Sequence, residues 1–77
     1  MKARRRSSPE LRTLTDQMRR HERAADALAG AVDRFRRGGD DAAASLSLKA
    51  CHAHRVWALM ARARADALRV WNRPDET

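Results

Sequence analysis

The sequence predicts an all-α fold: an antiparallel, coiled-coil-like two-helix hairpin, completed into a bundle by a partner or by dimerising. Three observations carry this expectation. Gly38-Gly39-Asp40-Asp41 lies midway along the 77-residue chain. On each side run roughly thirty residues of helix-favouring sequence without an interior proline. In the first run, apolar residues recur at alternating spacings of three and four, the pattern of a helix-packing seam.

The first eight residues, MKARRRSS, carry four positive charges and no large apolar residue beyond Met1. They read as a basic, flexible arm. The arm is either a solvated tail or, through Arg4, Arg5 and Arg6, a contact for phosphate. Ser7 with Glu10 fits a capping box, and Ser8 followed by Pro9 fits an N-cap with proline at the first helical position. Helix 1 is therefore expected over about 9–37. Leu11, Met18, Ala25 and Val32 form one line of its seam, and Leu14, His21, Leu28 and Phe35 the other. His21 reads as a hydrogen-bonded interface histidine, with a pH switch as the minor alternative. Gly30 lies off the seam, where it would admit a close approach by another helix.

The turn follows from residue chemistry. Arg36 and Arg37 suit the negative end of helix 1, and glycine tolerates the left-handed conformation of a helix C-cap. Asp40 or Asp41 caps helix 2, expected over about 41–72 with a tail at 74–77. The main stripe of helix 2 reads as Leu46, Ala53, Val56, Met60, Ala63, Ala67 and Val70, with Lys49 snorkelling near the turn. Counting outward from the glycines places Phe35 near Ala43, Val32 near Leu46 and Ala25 near Ala53. The same count places Met18 near Met60 and Leu14 near Ala63. A second stripe, Trp57, Ala61, Arg64, Leu68 and Trp71, lies about 80° around the helix. One partner helix cannot cover both stripes. Either the hairpin twists enough to bury the second stripe itself or, as favoured here, that stripe is a partner-binding surface with its two tryptophans as anchors.

Composition bounds the function. Lys and Arg number 17 against 10 Asp and Glu, a net charge of +7, which attracts nucleic acid, anionic membrane or an acidic protein. Arg55, Arg62 and Arg69, seven apart, form a basic line that reads first as a solvated face and otherwise as a contact for phosphate, the latter weakened because Asp66 is spaced to pair with Arg62 and Arg69. No apolar run long enough for a transmembrane helix is present, and a lone cysteine excludes an internal disulfide; the expected location is the cytoplasm. Cys51-His52-Ala53-His54 is a weak metal motif, because His52 points away from its neighbours and Cys51 is expected on the outer face. No nucleophile–base pair, phosphate loop or dinucleotide turn occurs. The chain reads as non-enzymatic, without cofactor or metal.

The Arg-Gly-Gly-Asp turn at residues 37–40 stands between two heptad helices. Apolar residues precede it at Ala24, Leu28, Ala31 and Phe35. Over roughly residues 24–60 this resembles the small E-type co-chaperones (YscE/PscE type) of bacterial type III secretion needle subunits. The resemblance implies a cytoplasmic helical hairpin that, with a second chaperone, keeps a needle subunit monomeric. Three readings therefore stand. The first is a protein-interaction module of that kind. The second is a small basic nucleic-acid binder. The third is a self-associating helical bundle.

Overall fold

A computed structural model describes residues 2–71, and the side chains of residues 9–71. Two helices, α1 (Lys2–Arg37) and α2 (Asp41–Trp71), pack along one another as an all-α hairpin measuring 59 × 16 × 12 Å. The backbone of residues 2–8, expected as a flexible arm, is helical, so Ser7 and Ser8 lie within α1 rather than capping it. Alanine and arginine favour helix. Pro9 sits inside α1, where the missing N–H forfeits one backbone bond close to the helix start. Thr13 Oγ1 donates to the Pro9 carbonyl one turn on, at 2.9 Å. The Arg4, Arg5 and Arg6 side chains, Asn72 and the tail at 74–77 lie outside what is described.

The turn closes as its chemistry requires. Asp40 N–H donates to the Phe35 carbonyl (2.8 Å) and Gly39 N–H to the Arg36 carbonyl (3.1 Å). This paired pattern is a Schellman motif. Gly39 occupies its left-handed position, with φ of 81°. Asp40 is the N-cap: its Oδ1 accepts from Ala43 N–H at 3.0 Å, and its carbonyl accepts the first helical bond, from Ala44. Asp41 follows in the first turn, near the positive end of α2.

The α1 seam is largely as read. Ala25 and Val32 are buried, and Leu11, Leu14, Met18, His21 and Leu28 are half-buried; only Phe35, beside the turn, is exposed. The α2 seam differs. Its buried residues are Ala44, Cys51, Ala58, Ala61 and Ala65, flanked by half-buried Leu48, His54 and Leu68. The stripe expected to face inward, Leu46, Ala53, Val56, Met60, Ala63, Ala67 and Val70, is exposed throughout. Ala25 meets Cys51, whose Sγ donates to the Ala25 carbonyl at 3.3 Å, rather than Ala53. Leu14 shares a groove with Leu68, and Met18 one with Ala65, instead of lying near Ala63 and Met60.

The cause is rotational. Offsets of two residues in one direction and five in the other both turn the contact about 140–160° around the helix, which exchanges its faces. The turn sets the rotation: with Asp40 as cap, Ala44 faces α1, and every seventh residue beyond it (Cys51, Ala58, Ala65) is small. The large side chains of α1 therefore pack against a row of small ones, which lets the helices approach closely. Cys51 is consequently buried, not outward-facing, and acts as a small apolar residue.

Gly30 makes no close approach to α2. A methyl group added there would meet only the end of the Arg34 side chain, at 3.4 Å. Gly30→Ala should therefore stabilise the hairpin by about 1 kcal/mol through helix propensity. A melting temperature at or below the parent's would show a constraint at this position that the packing does not reveal.

Candidate interaction surface

The turn that directs the small residues of α2 inward directs its large ones outward. Leu46, Val56, Trp57, Leu59, Met60, Val70 and Trp71 are all exposed, from 41% at Met60 to 84% at Trp71. Single exposed apolar residues are ordinary, but a contiguous row is not. Here Leu46, Ala53, Met60 and Ala67 recur every seven residues, with Val56, Ala63 and Val70 between them. That is a second heptad seam, opposite the first. From Leu46 to Val70 it extends about 36 Å, at 1.5 Å per residue.

The expected tryptophan surface divides between these two seams. Ala61 is buried in the hairpin and so not presented to a partner, and Leu68 is half-buried. Trp57 is 54% exposed; one side of it stacks on His21, with ring centroids 6.0 Å apart and planes at 22°. Trp71 and Arg64 are exposed. Leu59 completes the outer surface. Sequence reading missed it because it stands beside the heptad positions and is recognisable only once the inner face is known.

The arginine line is real but not an isolated positive track. Arg55 and Arg62 border a groove whose other side carries Glu22 and Asp26. Arg69 is bound to Asp66, Nη1 to Oδ1, at 2.7 Å. These carboxylates offset much of the field that a phosphate backbone would need.

A second polar contact between the helices, besides that of Cys51 with the Ala25 carbonyl, was also missed by counting along the sequence. His21 of α1 and His54 of α2 meet Nδ1 to Nδ1 at 2.8 Å, both half-buried. Their ring centroids lie 5.1 Å apart, close to the longest separation this bond allows, so the rings meet nearly head-on. One Nδ1 must donate and the other accept; if both rings are doubly protonated, neither can accept and the bond is lost. A shared proton suits this geometry better than a shared metal, which needs the two lone pairs to converge at its own bonding distance. Among the described residues, no group of three or more His, Cys, Asp or Glu is placed to hold a metal. His54→Ala should cost about 1 kcal/mol, and His21→Ala should add little once His54 is gone. Fully additive losses in a double-mutant cycle would mean that the rings do not interact.

No helix among the described residues is long and apolar enough to cross a membrane. No family model matches the chain, nor does any curated protein or solved structure.

Proposed function

We propose that this chain is a non-enzymatic protein-interaction module in which α1 braces α2 and α2 presents its outer seam to a helical partner. The carrying observation is the exposed heptad row from Leu46 to Val70, bordered by Trp57, Leu59 and Trp71. Its counterpart is a thin interior. Among the described residues, those buried are alanine, cysteine and one valine, and no large side chain is fully buried. A chain of this size with so little apolar burial gains stability from association. The co-chaperone resemblance supplies one concrete version, in which a secretion needle subunit and a second chaperone are the partners and the complex is cytoplasmic. The hairpin fold and the unpaired seam support that version.

A photo-crosslinking residue distinguishes this from a solvated hairpin. At Met60 it should trap a defined protein in cells, whereas at Arg23, exposed on α1, it should not. Equal yields at the two positions would refute the module. A needle subunit or its chaperone among the Met60 adducts would support the co-chaperone version specifically.

A further inference from the structure

We propose that the outer seam of α2 takes an apolar helix flanked by acidic side chains, rather than a second copy of this chain; this rests on the interaction reading above. The argument is charge complementarity. The cations set among the exposed apolar residues of α2 are Lys49 and Arg64. The only carboxylates of α2 are Asp41, in its first turn, and Asp66, paired with Arg69 at 2.7 Å. Asp66 is already engaged by Arg69, and Asp41 lies in the first turn of α2, beyond the turn-proximal end of the outer seam. Glu22 and Asp26 of α1 share with Arg55, Leu59 and Arg62 a groove that neither Lys49 nor Arg64 lines. A second copy would thus oppose one cationic seam with another, each chain carrying +7. Like charges opposed across an interface disfavour pairing, and acidic flanks reverse the sign.

The form of the seam selects a helix over a membrane surface. Ala53, Ala63 and Ala67 are interspersed among Leu46, Val56, Met60 and Val70. Holes between larger knobs suit an interdigitating helix. In a bilayer those alanines would add little, because binding there rewards buried apolar area and attraction to anionic lipid, and the fit of knobs into holes counts for nothing.

The test uses the full chain and two synthetic helices of roughly four heptads with the same leucine–alanine seam. One carries Glu at its flanking positions and the other Lys. Binding is read from the tryptophan fluorescence of the chain, and self-association by sedimentation. The Glu-flanked helix should bind at least roughly tenfold more tightly than the Lys-flanked one. Lys49→Glu with Arg64→Glu should invert that preference without changing the melting temperature, since both residues are exposed. Arg20→Glu with Arg23→Glu, the same change of net charge placed on α1, should leave the preference intact.

Equal binding of the two helices, or an equal response to the α1 pair, would overturn the acidic partner while leaving the interaction surface standing. Self-association abolished by Met60→Glu would overturn it in favour of a second copy. Binding to anionic phosphatidylserine vesicles but to neither helix would overturn both this inference and the protein-interaction reading.

Discussion

Ala58→Leu should destabilise the hairpin by about 1–3 kcal/mol, the cost of forcing extra methylenes into a close-packed seam. Ala58 lies midway along the row of small residues on α2, 5% exposed. A leucine there must push α1 away or leave its preferred rotamer. For a chain of this size the loss corresponds to a fall of roughly 4–8 °C in melting temperature per kcal/mol. Met60→Ala is the contrasting variant. It removes a larger side chain, but from the exposed seam, and should leave the isolated fold nearly unchanged. If Met60→Ala unfolds the chain and Ala58→Leu does not, α2 packs with its other face inward.

Gly39→Val should cost about 1–2 kcal/mol or more, because a β-branched residue is held at the positive φ of 81°. Gly38 is different. It takes no positive φ, and an added Cβ would make ordinary contacts with the Arg34 and Phe35 carbonyl oxygens at 3.5 and 3.7 Å. Gly38→Ala should therefore be neutral or slightly stabilising. Thermal melts of the two variants separate these roles. Equal destabilisation would mean that the turn is not the Schellman motif, and with it would go the rotation that places Ala44 inside.

The sequence by itself determined the hairpin, the position of its turn and the seam of α1. These are local properties. Glycine at a left-handed position, aspartate at an N-cap and a three–four apolar spacing each act within a few residues. Ala25 and Val32 could be placed in the core because α1 has only one regular apolar face. Helix α2 has two, and periodicity picks out only the one made of large residues, Leu46, Val56, Met60 and Val70. The line of Ala44, Cys51, Ala58 and Ala65 carries too little apolar area to stand out beside it, so the inner seam is not legible in the sequence. The tertiary structure decided between them by volume and by the rotation the turn imposes: large residues of α1 fit against small ones of α2, and a cap at Asp40 sets Ala44 inward. From that one choice follow the burial of Cys51, the division of the tryptophan stripe and the exposed outer seam. The meeting of His21 with His54 belongs with them, since contacts between residues 33 apart depend on register, and register is settled only when the two helices are packed.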